Sequence, residues 1–285
     1  MQEAATQRVL SWGLGQLRDL PWRRTRDPWA VLVSEVMLQQ TQVERVIPRW
    51  FEFLEAFPTP EACAEAGLGD VLRMWQGLGY PRRARNLHAA ATRITELGRF
   101  PHTLADLLDL PGVGQYTARA LLAFAFESDA AVVDTNIARV YARVAGRRLT
   151  AREVQALADA ALPAEQSWAW NQCIMDLGAV LCRPTSPRCG DCPLRVGCAY
   201  HGDGDDPAIG SANVSVAQSR FEGSDRQGRG RLMKALGNGP VHLDGVVATM
   251  AWPDQHERAH RVAATLVADG LATFDEATST FHLPR

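Results

Sequence analysis

Lysine is nearly absent from this 285-residue chain: arginine supplies almost all the positive charge, and the lone lysine is Lys234, near the C-terminus. Chemistry that needs a lysine amine as nucleophile is thereby excluded from everything before that position. Long apolar runs are absent too. No segment approaches the roughly 18 uninterrupted apolar residues of a membrane span. The opening MQEAATQRVL lacks the apolar core of a secretion signal. The expectation is a soluble, cytoplasmic protein with no membrane partner. A strong net charge is the third absence. At −2 overall, the chain is not a uniformly basic binder of polyanions, so any anion-binding surface has to be local. Arg82, Arg83, Arg85 and Arg93 form one cluster with no acid between them, and Arg183, Arg188 and Arg195 form another. A solvated helix face would look the same.

Cysteine is sparse, and its distribution is uneven. Cys63 and Cys173 sit singly in helical patterns, whereas Cys182, Cys189, Cys192 and Cys198 fall in one loop with six, two and five residues between them. Disulfides do not fit a reducing compartment, and four thiolates so close together point to a metal. Both zinc and an iron-sulfur cluster accept four cysteines.

With 46% hydrophobic residues, the chain can bury two cores. Its pattern is helical almost throughout the first 200 positions. Helices are predicted over Gln2–Leu17, Val43–Phe57, Asp70–Gln76, Arg82–Leu97 and Gln166–Leu181, with turns at Pro58, Gly77 and Gly79. Asp27 and Pro28 read as an N-cap and N1 proline, and Thr150 with Glu153 as a capping box. Glu35 lies in the apolar helix WAVLVSEVMLQQ. An acid desolvated there keeps a proton near neutral pH, which suits a general acid, although a helical glutamate more often faces solvent. From Leu110 to Asp134 the chain reads LPGVGQYTARALLAFAFESDAAVVD: a helix, a glycine hairpin and a second helix. The amides around Gly112, Val113 and Gly114 can face an anion there. Asp134 opens a further helix, whose apolar stripe is Ile137, Val140, Tyr141 and Val144. A plain turn followed by a capping aspartate would read alike.

LPGVGQYTA followed by VVD resembles the hairpin and aspartate of the helix-hairpin-helix DNA glycosylases. PWR (Pro21–Arg23), SEVMLQQTQV (Ser34–Val43), WQGLGY (Trp75–Tyr80), RARNLH (Arg83–His88) and MDLGA (Met175–Ala179) narrow the resemblance to the A/G-specific adenine DNA glycosylases, over roughly residues 8 to 200. The resemblance implies a mainly α, two-lobed helix-hairpin-helix fold and one 4Fe-4S cluster on the four cysteines. Its cysteine spacing is that of the endonuclease III and adenine glycosylase cluster loop. It implies that Glu35 protonates adenine N7, that Asp134 stabilises the sugar cation, and that Tyr116 supports Asp134. Gln40 and Tyr80 match the positions that wedge the duplex open. Gly112 to Gly114 would grip a phosphate, as would Arg183 and Arg188. The implied partner is double-stranded DNA with an A:8-oxoguanine or A:G pair, met by a monomer, nucleoid-associated if the source is bacterial. Without a lysine in the catalytic region the enzyme would be monofunctional. Pro81 departs from the second tyrosine usual in GLGYY. Thymine-mismatch glycosylases share the glutamate, the tyrosine and the cysteines but depart at LQQT and GLGY. The rival of another class is a non-catalytic DNA-binding or redox protein on the same scaffold.

The residues after Cys198 do not resemble the nudix-like domain of longer relatives, which leaves a preference for oxoguanine unsupported. The expected organisation is a catalytic domain over 1–200 with its cysteine loop at 182–198, a Gly-, Asp- and Ser-rich linker at 201–219, and a small module at 220–285. In the module three helices (Arg229–Leu236, Val241–Met250, Gln255–Asp269) and two short β runs suggest a winged helix, and a stabilising tail would serve as well.

Overall fold

The computed structural model describes residues 3–214 and 220–285; Gln2 and positions 215–219 of the expected linker lie outside the described residues. The chain is mainly helical. Its helices are α1 (Glu3–Leu14), α2 (Pro28–Leu38), α3 (Val43–Ala56), α4 (Pro60–Glu65), α5 (Leu68–Met74), α6 (Arg82–Leu97) and α7 (Leu104–Leu108). They continue with α8 (Gln115–Phe124), α9 (Thr135–Ala145), α10 (Ala151–Ala161), α11 (Ser167–Val180), α12 (Asp225–Asn238), α13 (Val246–Met250) and α14 (His256–Ala268). Among the described residues no helix is long and apolar enough to cross a membrane.

The caps fall where the residue types require them. The Asp27 carboxylate accepts from the amides of Trp29 and Ala30, and Thr150 and Glu153 close a reciprocal capping box on α10. Asp134 caps α9 by accepting from the Ile137 amide. Each satisfies donors that a helix start leaves without partners.

The residues group into two compact units. Of the described residues, the first holds 3–32, 102–108 and 113–214. Its core is built from Val9 and Leu10 of α1, Ile137, Val140 and Tyr141 of α9, Val154 of α10 and Trp170, Ile174 and Leu177 of α11. An ion-paired centre lies within it. Asp176, 2% exposed, accepts two bonds from Arg23 at 2.8 Å and further bonds from the backbone and side chain of Arg18. The PWR and MDLGA motifs therefore meet as one buried carboxylate with its guanidiniums. The chain after Cys198 continues this packing rather than leaving it at once: Ala208 and Ser211 are buried, Asp206 pairs with Arg143, and Ser211 Oγ accepts from the Leu149 amide.

Of the described residues, the second unit holds 33–101, 109–112 and 220–285. Phe53 and Trp75 meet edge to face at its centre. Its C-terminal part runs α12, β1 (Val241–His242), α13, α14, β2 (Thr273–Asp275), β3 (Thr280–His282). The strands form an antiparallel sheet in the order β1-β3-β2, with Phe281 opposite both Val241 and Phe274. This part therefore runs helix, strand, two helices and a two-stranded hairpin. One element differs from the sequence pattern: positions 241–245, expected as helix, form β1 and a single 3₁₀ turn. β-branched Val241 pairs with Phe281, and the helix starts only at Val246. The module is built onto the unit. Arg82 pairs with Asp269, Arg85 donates to the Asp269 carbonyl, and a Cβ on Gly69 would lie 2.4 Å from the Pro284 carbonyl oxygen.

Candidate active site and cysteine loop

In the first unit, α9 carries the residue of greatest chemical interest at its N-terminus. Asp134 Oδ1 accepts from the Ile137 amide at 2.7 Å, and Oδ2 accepts from Asn136 Nδ2 at 2.9 Å. Burial pushes its carboxyl above the ordinary value, and the bonds from Ile137 and Asn136 and the charge of Arg139 oppose that rise. A carboxylate fixed by donors and set at a positive helix end is preorganised to face a developing cation. Tyr116 lies half-buried in the first turn of α8 in the same unit.

The hydrogen bonds continue beyond Asp134. Asn136 Oδ1 accepts from Arg139 Nη2 at 2.8 Å, and Arg139 Nε donates to the Cys182 carbonyl at 2.7 Å. Arg139 also donates to the Gly178 carbonyl. A side chain at Gly178 would meet Asn136 Cβ at 2.7 Å, so the glycine of MDLGA is what lets α9 and α11 approach. One turn on, Arg143 is almost fully buried. It donates to the carbonyls of Cys182, Arg183 and Pro184, reaches Cys182 Sγ at 3.3 Å, and pairs with Asp206 at 2.6 Å. Neither arginine was singled out from sequence. Their signal is two guanidiniums at i and i+4 on a helix whose first turn carries the key aspartate.

Cys182, Cys189, Cys192 and Cys198 line one cavity together with Arg143, Arg195 and Tyr200, and none of the four is in a disulfide. Among the described residues, no three His, Cys, Asp or Glu side chains close to the spacing of a single metal ion. Four thiols around a shared space are a donor set that zinc and an iron-sulfur cluster both accept. Cys63 and Cys173 are buried elsewhere. Arg183 and Arg188 are exposed on the loop; Arg183 donates to the Ser186 carbonyl and Arg188 pairs locally with Asp191.

The second unit contains Glu35, Gln40, Tyr80 and Gly112. Glu35 is 5% exposed and follows the fully buried Ser34, in a helix that is buried on every side from Trp29 to Met37. Gln40 and Tyr80 both adopt left-handed backbone conformations, with φ of 57° and 48°. Side chains other than glycine hold such angles at a cost of order 1–3 kcal/mol, and they do so where the surrounding structure insists. Here the insistence comes from Arg83. Its buried guanidinium donates to the carbonyls of Val36, Met37 and Gln39 on one side and of Leu78 and Gly79 on the other. Thr41 Oγ1 adds a bond to the Leu78 carbonyl. LQQT and GLGY are thus two loops laced through one arginine. This corrects the reading of Arg83 as part of a solvated, anion-facing cluster: its donors are spent on backbone, and Arg82 and Arg85 are turned to Asp269.

At the hairpin the chain passes between the units. Gly112 has φ +77° and a Cβ there would meet Asn86 at 2.6 Å, whereas a Cβ on Gly114 would meet nothing. Val113 is buried and both glycines are exposed.

Residues 33–164 match the family described as HhH-GPD superfamily base excision DNA repair protein. Over 92% of its length the chain is 38% identical to the adenine DNA glycosylase of Mycolicibacterium smegmatis, covering 90% of that protein. It is 40% identical over 93% to that of Mycobacterium tuberculosis, covering 89%. Among solved structures it resembles a thermostable thymine-DNA glycosylase at a TM-score of 0.66 and 30% identity, over 69% of this chain and 94% of that one.

Proposed function

Because this chain belongs to the adenine DNA glycosylase family, within the HhH-GPD superfamily of base excision DNA repair proteins, we propose that it removes adenine mispaired with 8-oxoguanine or guanine in duplex DNA. The observation that carries the mechanism is the fixed carboxylate of Asp134. The N-glycosidic bond breaks when the base leaves neutral and the sugar is left as an oxocarbenium ion. Glu35, buried in α2, delivers the proton to adenine N7, and Asp134 faces the cation until water adds. Two carboxylates in opposite protonation states divide the work, and Tyr116 supports the second. Since the bond is hidden in the duplex, the nucleotide is extruded first. Gln40 and Tyr80, on their strained loops, occupy the space it leaves, while the amides of Gly112 to Gly114 and the exposed Arg183 and Arg188 hold phosphates.

Cys182, Cys189, Cys192 and Cys198 would hold one 4Fe-4S cluster. Bound there, it would cross-link the loop that carries Arg183 and Arg188. Arg143, near Cys182 Sγ, sets positive charge against thiolate.

A second reading, thymine removal from T:G pairs, draws support from the likeness to the thymine-DNA glycosylase. Single-turnover cleavage of duplexes carrying A:8-oxoguanine, A:G, T:G and A:T decides. Adenine release from the first two is expected. T:G cleavage without adenine release would replace the reading, and binding without any cleavage would make the protein a non-catalytic DNA binder.

A further inference from the structure

Within the second unit, a groove of about 1130 Å³ runs between the start of the C-terminal module and the loop that carries Tyr80. That exceeds the roughly 300–1,000 Å³ of a small-molecule cleft. Its lining is rich in cations: Arg45 and Arg49 come from α3, Arg226 and Lys234 from α12, and Arg49 pairs with Glu52. Arg82 and Arg229 also line it, but both are engaged by Asp269. The one acid on the lining, Asp225, is neutralised by Arg258 and Arg261. Two aromatic rings are presented at the groove, Tyr80 at 38% and Phe221 at 57% exposure. Arg226 stands between them, donating to the Tyr80 hydroxyl at 3.3 Å with its guanidinium 5.9 Å from the Phe221 ring centroid.

Positive walls that can follow a backbone, with exposed rings on which any base can stack, are the physical requirements for binding a single strand. A peptide would need hydrogen-bonding backbone or apolar pockets, and the charge here asks for a polyanion. We infer that this groove binds an unstacked segment of DNA strand without regard to sequence, a base against Phe221 and its phosphates along Arg45, Arg226 and Lys234, with Tyr80 at its edge. The inference rests on the glycosylase reading for its occupant, because extruding one nucleotide leaves the strand around it unstacked.

The test is fluorescence anisotropy with a labelled octathymidylate, which contains neither adenine nor duplex, across a salt series. The full-length protein is expected to bind it. Arg226→Ser with Lys234→Ser should weaken binding at least tenfold and flatten the log–log salt slope by about 1.4, at roughly 0.7 per phosphate contact on a single strand. Phe221→Ala should weaken it about fivefold or more with the slope unchanged. Circular dichroism melts of all variants must match wild type before the comparison is made. Equal affinity and slope for wild type and the double variant would overturn the assignment, as would failure of wild type to bind. Adenine release from mismatched duplex is measured separately. Its absence alongside groove-dependent octathymidylate binding would sink the proposed activity and not the groove.

Discussion

Asp134 is asked to do two things with one carboxylate: cap α9 and carry charge. The cap is shared with asparagine, which ranks beside aspartate at that position, and the charge is not. Burial raises its pKa in the fold above the ordinary 3.8, so the ionised group opposes folding. The opposition is absent below the unfolded value and grows as pH rises through the folded one. Asp134→Asn should therefore melt at a higher temperature than wild type near pH 7.5, and the gap should narrow as pH falls toward 4. Adenine release should drop by on the order of 10²–10³-fold, from loss of the anion opposite the cation. A variant that melts lower at pH 7.5, with a gap that widens on acidification, would contradict this reading of the site. Asp176 has the opposite sign. Burial alone would push it up, but the bonds from Arg23 and Arg18 outweigh burial and hold it below 3.8. Its contribution is complete above the unfolded value and is lost as pH falls through the folded one. Asp176→Asn strands a buried guanidinium, and breaking such a pair costs about 3–5 kcal/mol; urea unfolding at neutral pH should register it, with the loss shrinking in acid.

At the scale of the element, the hairpin and the cysteine loop each separate a structural demand from a functional one. Gly112 is required by its positive φ and by Asn86, so its replacement should cost folding. Gly114 has an ordinary φ and open space around it. Gly114→Ala should keep the wild-type melting temperature and still weaken duplex binding about tenfold, because the added methyl stands where a phosphate would approach; unchanged affinity would remove the phosphate role from the hairpin. For the cysteine loop, iron and sulfide analysis of anaerobically purified protein should find both. Cys192→Ser should lose them while Cys63→Ser and Cys173→Ser retain them, and zinc in their place would refute the cluster.

These elements also show what could be read in advance. Helix spans, the capping box and the aspartate cap were legible because each depends on residues within one or two turns. The glutamate in an apolar run announced its own burial. Arg83 did not announce its role: its partners are carbonyls at the ends of distant loops, and backbone acceptors carry no letter in a sequence. Arg23 and Asp176, 153 positions apart, were visible as motifs and invisible as a pair. The strained φ of Gln40 and Tyr80 likewise follows from tertiary lacing rather than from their own side chains. The strand at Val241 escaped because two residues of β pattern set against a helical run cannot outvote it, whereas pairing with Phe281 can.

Taken as a whole, a molecule with a net charge of −2 that handles a polyanion must concentrate its cations, and it does so almost entirely with arginine. Arginine suits fixed, forked contacts to carbonyls and phosphates. It cannot act as a neutral amine at physiological pH, because its guanidinium stays protonated. Cleavage of the sugar-phosphate strand through an imine needs such an amine attacking the sugar carbon, and the only lysine is Lys234, exposed on α12 in the C-terminal module. Base removal should accordingly stop at an intact abasic strand. Incubation with A:G duplex and borohydride should yield no covalent protein–DNA adduct through residues 1–200, and strand breaks should appear only after hot alkali. Efficient nicking without alkali, or a borohydride adduct mapped within residues 1–200, would require an amine other than lysine, and the division of labour between Glu35 and Asp134 would have to be reassigned.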